Sequence, residues 1–178
     1  MTRQRLFTAA TAILACGAAM TAQAPKMTIT SSAFALNAAI PTKYTCDGAN
    51  TNPALEFRSV PAGAKSLALH MYDPDVPKSM IPSGHFDHWL VWNLPATTKG
   101  IAEADKSAAV QGVNGMGKPG YMGPCPPDRE HRYFFKLYAL DTMLGGAKIA
   151  NKADLDAAMK GHVLTEAELI GRYEKMKK

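Results

Sequence analysis

Gly112 to Pro127 holds five Gly and four Pro in sixteen residues, so it can be neither a helix nor a central strand. Prolines fix its shape while glycines let another group approach the backbone closely, which makes it a stiff loop. Regular structure must therefore lie on either side of it. After it comes Tyr133-Phe134-Phe135-Lys136-Leu137-Tyr138-Ala139-Leu140, apolar on both faces as a buried central strand is. Before it, Lys65 to Tyr72 alternates in polarity and stops at Asp73-Pro74. Phe86 to Asn93 is a run of aromatic and branched residues stopped by Pro95, and Met27 to Ser31 is short and β-prone. Strands at this spacing, separated by Gly, Pro, Asn and Asp turns and not by helices, predict a mostly β chain folded as an antiparallel sandwich or barrel.

One short helix is expected in the C-terminal region. Asn151 can cap it, Asp154 falls at its third position, Leu155, Ala158 and Met159 form its apolar stripe, and Gly161 ends it. His162 to Tyr173 then reads as a returning strand. With 178 residues and neither an internal repeat nor a low-complexity linker, the chain is expected to form one domain.

That domain is expected to span 25–178. Arg3 and Arg5 open a positive start, Leu6 to Met20 carries no charge, and Ala22-Gln23-Ala24 offers a cleavage site, so 1–24 reads as a secretory signal peptide. Pro25 is a poor residue after such a cut. The alternative is Ile13-Leu14-Ala15-Cys16 as a lipoprotein box, with Cys16 carrying the lipid. Either reading places the mature protein in the periplasm or outside the cell, or anchored there through Cys16. No later stretch is long and apolar enough to span a bilayer, so no stable transmembrane segment is expected after processing. The formal charge of +5 falls to +3 once Arg3 and Arg5 leave. The one dense basic run is Lys175-Met176-Lys177-Lys178, a solvated terminus and not a nucleic-acid surface. Cys46 and Cys125 remain, and in an oxidising compartment two cysteines most simply pair; two unrelated thiols is the other reading.

The chemistry gathers at strand edges. Asp73-Pro74-Asp75-Val76-Pro77 is followed by Phe86-Asp87-His88-Trp89, and Gly123-Pro124-Cys125-Pro126-Pro127 leads into His131-Arg132-Tyr133. Several enzyme signatures fail. Gly115-Met116-Gly117-Lys118-Pro119-Gly120 matches G-x-G-x-x-G, but Pro-rich sequence stands where a helix must follow. The same loop resembles a P-loop, but Pro119 replaces the Ser or Thr that binds magnesium. No Ser sits in an elbow motif, and Cys125 is flanked by prolines. His85, His88 and His131 with Asp73, Asp75 and Asp87 have no tight metal-ligand spacing, so no metal is expected. Neither a cofactor nor a catalytic nucleophile is indicated, and the chain reads as a binding protein and not an enzyme. What remains suits an oxyanion: imidazoles held by carboxylates, a Tyr133 phenol, and backbone N–H groups near Gly123. Alternation sends Arg132 to the face opposite Tyr133, where it can neutralise Asp73 or Asp75. His70 and His162 read as ordinary strand or turn residues.

Tyr44-Thr45-Cys46-Asp47-Gly48, Asp73-Pro74-Asp75-Val76-Pro77, His88-Trp89-Leu90-Val91-Trp92-Asn93-Leu94-Pro95 and Gly123-Pro124-Cys125-Pro126-Pro127 through His131-Arg132-Tyr133 resemble the phosphatidylethanolamine-binding protein family. The similarity is greatest to its bacterial Raf kinase inhibitor-like branch and runs from about Ile29 to Tyr173. The resemblance implies a β-sandwich with an anion pocket at one end. Asp73, Asp75, His88, His131 and Tyr133 would sit at pocket positions, with Gly123 and Pro126 in its backbone wall. It implies a small anionic or phosphorylated ligand, a phosphoryl or carboxylate head group. The alternative is an inhibitor or scaffold whose protein partner, a kinase or protease, meets the loops around the pocket. One departure stands out: Asp128-Arg129-Glu130 replaces the Gly-containing turn usual between Pro-Pro and His-Arg-Tyr, putting extra charge at the mouth.

Overall fold

The computed structural model describes residues 25–106, 110–145 and 149–175; the expected signal peptide and both readings of its processing lie outside the described residues. Eight strands and one helix follow in the order β1 (Thr28–Thr30), β2 (Leu55–Arg58), β3 (Ser66–Asp73), β4 (Phe86–Pro95), β5 (Gly100–Ile101), β6 (Val110–Gln111), β7 (His131–Leu140), α1 (Lys152–Met159) and β8 (Val163–Tyr173). The strands form two antiparallel sheets, β1-β2-β5 and β6-β4-β3-β7-β8. This is the mostly β, two-sheet architecture expected from the strand pattern.

Alternation explains the layers. Leu67, Leu69 and Met71 of β3 and Tyr133, Phe135 and Leu137 of β7 point inward, against Ile29, Leu55, Phe57 and Ile101 of the smaller sheet. Ala68, Leu90, Trp92 and Leu140 face the other way and are covered by Leu155 and Met159 of α1. The large sheet is thus buried on both faces at its centre, which is why β7 reads as a nearly continuous apolar run. The helix begins as its sequence indicates, with the Asn151 side chain accepting a hydrogen bond from the Asp154 N–H, and Gly161 turns the chain at φ +82°.

The Gly112–Pro127 loop runs along the edge of β4. Gly112, Gly115 and Met122 donate backbone hydrogen bonds to Leu90, Asp87 and His88 carbonyls, which occupies an edge that would otherwise be open. Cys46 and Cys125 are joined in a disulfide with Cα atoms 5.4 Å apart. The adjacent Cys46 N–H donates to the Pro124 carbonyl, so the end of the loop is fixed to the segment after a single 3-10 turn at Thr42–Tyr44.

Candidate functional site

A bulge decides which face of the sheet each side chain of β4 reaches. Met71 of β3 pairs with Trp89 and Tyr72 pairs with Asp87, so His88 is an extra residue with no partner of its own. The extra residue sends Asp87 to the helix-covered face and leaves His88 and Trp89 both on the inner one. There the His88 ring meets Tyr133 edge-on, with centroids 5.2 Å apart. A reciprocal pair of bonds fixes the imidazole: Met122 N–H donates to the His88 carbonyl, and His88 Nδ1 lies 2.8 Å from the Met122 carbonyl. A carbonyl can only accept, so Nδ1 carries the proton, and neutral His88 keeps Nε2 as an acceptor. Burial opposes charging and holds its pKa down at about 4.

His131, at the first position of β7, is gripped on both ring nitrogens. Nδ1 lies 2.7 Å from Asp73 Oδ2 and Nε2 lies 2.8 Å from Asp128 Oδ1. The other Asp73 oxygen accepts the Asp75 backbone N–H at 2.8 Å, closing the turn at the end of β3. Asp128 belongs to the turn that departs from the expected Gly pattern, and it is the exposed member of the pair. Its carboxyl is held below the usual range by the hydrogen bond from His131.

Tyr133 is fully buried and its hydroxyl has no hydrogen-bond partner among the described residues. Burial first, then the nearby Asp73 carboxylate, push the phenol far above its ordinary value, so it stays protonated, with Asp73 and the Cys125 backbone beside it but no well-formed hydrogen bond. Asp73, His88, His131 and Tyr133 therefore form one cluster, each at most 4% exposed, with Asp128 at its outer end.

Asp75 is turned away from this cluster. It takes two hydrogen bonds from the Arg132 guanidinium, at 2.8 and 2.7 Å, and a third from the Arg132 backbone N–H. That partnership lowers its pKa to about 2 and makes Asp75 a brace of the wall, with Arg132 on the face opposite Tyr133 as alternation requires. The Gly123 N–H is committed to Asn50 Oδ1 at 2.7 Å and does not point into the cluster, contrary to its expected part as a donor there. A side chain at Gly123 would meet the Tyr44 carbonyl at 2.3 Å, so the glycine is required for close packing of the wall. Pro126 is buried beside it. The pairing roles of Asp128 and Asn50 are not visible in the sequence; only the unusual Asp128-Arg129-Glu130 turn hints at the first.

The family model for phosphatidylethanolamine-binding proteins matches residues 30–174. The chain belongs to the phosphatidylethanolamine-binding protein family. Among curated members, it is 50% identical over 149 residues to a UPF0098 protein of Chlamydia pneumoniae, covering 84% of this chain and 99% of the relative. It is 46% identical over 155 residues to one from Methanothermobacter thermautotrophicus, covering 84% and 99%. The solved structure of a family homologue from Chlamydia trachomatis superposes with a TM-score of 0.82 at 46% identity, covering 85% of this chain and 99% of that one. Escherichia coli YbcL, described as a new member of the mammalian PEBP family, superposes with a TM-score of 0.75 at 30% identity over 85% and 100% of the two chains. The bacterial kinship expected from the ordered motifs is thus established, and the Asp73–His131 cluster lies inside the matched region.

Proposed function

We propose that this member of the family binds a small anion, a phosphoryl or carboxylate head group, at the buried cluster of Asp73, His88, His131 and Tyr133, which opens when the Asp128 turn moves. Gly123 and Pro126 shape its wall and Asp75 braces its rim. The observation that carries this reading is Asp128: a carboxylate of the chain itself already accepts from His131 Nε2, which is the interaction an anionic ligand would make. Tyr133 supports it, because a buried hydroxyl without a well-formed hydrogen bond is a donor that an incoming oxyanion would satisfy. In this reading the ligand displaces Asp128, and the exposed 127–130 turn moves aside to admit it. The family name supports a phosphoryl group over a carboxylate.

The test is calorimetric titration with inorganic phosphate, phosphoethanolamine and acetate. Saturable one-to-one binding is expected, weakened about ten- to hundredfold in His131→Ala, since a charge-assisted hydrogen bond contributes roughly 1.5–3 kcal/mol. Unchanged phosphate affinity in a folded His88→Ala/His131→Ala double variant overturns the assignment. We also propose that the protein works outside the cytoplasm, a reading supported by the Cys46–Cys125 disulfide, because such bonds persist in oxidising compartments. Terminal sequencing of protein from its native host distinguishes a start at Pro25 from a lipidated Cys16, and an intact Met1 refutes both.

A further inference from the structure

On the helix-covered face of the large sheet, across from that cluster, a second polar group is assembled from three parts of the chain. His70 comes from β3, Asp87 from β4 and His85 from the loop just before β4. One oxygen, Asp87 Oδ1, lies 2.7 Å from His70 Nε2 and 2.9 Å from His85 Nε2. The three atoms lie within 4.8 Å of one another. Tyr72, two residues beyond His70 on the same face, stacks on both imidazoles, with centroids 4.8 Å from His70 and 4.9 Å from His85. That packing holds two rings with the same nitrogen of each directed at one carboxylate.

We propose that His70, His85 and Asp87 form a binding site for a divalent transition-metal ion of the zinc class, with water completing the coordination. The donor set is two imidazole nitrogens and one carboxylate oxygen, a combination used by zinc and non-haem iron sites that keep a position open. It does not suit calcium or magnesium, which take oxygen ligands almost entirely. Zinc bonds of about 2.0–2.1 Å place tetrahedral ligand atoms roughly 3.3 Å apart. The two carboxylate–imidazole distances of 2.7 and 2.9 Å therefore need to lengthen by about 0.5 Å, and the two imidazole nitrogens, within 4.8 Å of each other, to close by at most about 1.5 Å. Burial is graded in the sense an open site requires: the His70 side chain is 3% exposed, Asp87 24% and His85 36%, so the free position faces solvent beside His85. Lys152 of α1 is the cation that bears on His70, and it is tied to Asp156 on its own helix. Sequence reading expects no metal because no local spacing brings the ligands together. His70 and Asp87 are 17 residues apart, and strand pairing with the β4 bulge is what places them side by side.

The test is titration of the chelator-stripped, full-length protein with zinc chloride by calorimetry, repeated with cobalt(II) to read nitrogen ligation from its visible absorption. One zinc per chain is expected, with affinity falling at least about tenfold in His85→Ala and in Asp87→Asn, because each removes one of three protein ligands. His85 is half-exposed, so its loss leaves the fold intact even if His70→Ala does not. The exposed His162–Asp141 pair is the competing surface site, and His162→Ala is expected to leave zinc binding unchanged. Absence of zinc binding, retention of full affinity in His85→Ala, or loss of binding in His162→Ala instead would each overturn the proposal.

Discussion

Asp128 Oδ1 sits 2.8 Å from His131 Nε2, while Asp73 Oδ2 sits 2.7 Å from Nδ1 of the same ring. The inner carboxylate orients the imidazole and the outer one takes the donor that would otherwise face the mouth. Because Asp128 is exposed and Asp73 is buried, the two contacts are not equivalent: one belongs to the frame, and the other is the one that the proposed ligand would exchange.

Removing the exchangeable contact should therefore strengthen binding. Asp128→Ala is expected to raise phosphate affinity by about tenfold, the lower end of what one charge-assisted hydrogen bond is worth. Calorimetry on the variant reads this directly. An affinity equal to or below the wild type would remove Asp128 from the role of internal competitor.

Tyr133 separates binding from stability. Tyr133→Phe deletes a buried hydroxyl that makes no well-formed hydrogen bond among the described residues, so thermal stability should stay level or rise by up to about 1 kcal/mol. Phosphate binding should weaken about tenfold. A thermal melt beside a titration checks both, and a clear loss of stability would mean the hydroxyl already has a structural partner.

His88 predicts how stability responds to acid. Its folded pKa of about 4 lies below the value near 6.5 of an unfolded histidine, so the unfolded chain takes up a proton that the folded one refuses. The contribution is complete above about pH 6.5 and is lost as pH falls toward about 4, costing on the order of 3 kcal/mol. Melts of wild type and His88→Gln across that window should converge at low pH. Parallel curves would show that His88 is not the group responsible.

Arg132→Ala should destabilise the protein modestly. Its two-pronged contact with Asp75 is well formed, but the arginine side chain is 46% exposed and solvent screens the pair. A loss of about 1 kcal/mol is expected, shrinking at high salt. A chemical-denaturation series with and without added salt measures it.

Breaking the Cys46–Cys125 bond should act on the whole fold. The bridge spans 79 residues, and closing a loop of that length is worth about 4–5 kcal/mol in a chain-entropy treatment. Non-reducing digestion with mass spectrometry should find the linked peptides, and reduction should lower the melting temperature. Two free thiols in exported protein would count against the pairing.

Much of this architecture can be read in the residues. Lys65 to Tyr72 announces itself by its alternation and Tyr133 to Leu140 by the long apolar run that a sheet covered on both faces demands, and α1 is marked by its Asn151 cap and the glycine beyond its end. Leu55–Arg58 and Gly100–Ile101 escape notice because two to four residues carry too little pattern, and they become strands through their partners. The cluster of Asp73, His131 and Tyr133 follows from adjacent antiparallel strands. The Gly123 N–H does not, because its direction depends on Asn50, 73 residues away. His70 reads as an ordinary strand residue for the same reason: its partner is assigned by register, which no local pattern reveals.

The bulge in β4 has a consequence for what natural variation and engineering can do. Phe86 pairs with Asp73, Asp87 with Tyr72 and Trp89 with Met71, so excising His88 would join these matched pairs directly, leaving the second irregularity opposite Ala68 in place. The sheet would then be more regular, and every apolar side chain of β4 would keep its place. A single-codon deletion at this point is thus expected to yield a folded protein that has lost the His88 imidazole together with its reciprocal bonds to Met122. By the same logic, a relative lacking that one residue would have kept the scaffold while abandoning the proposed site.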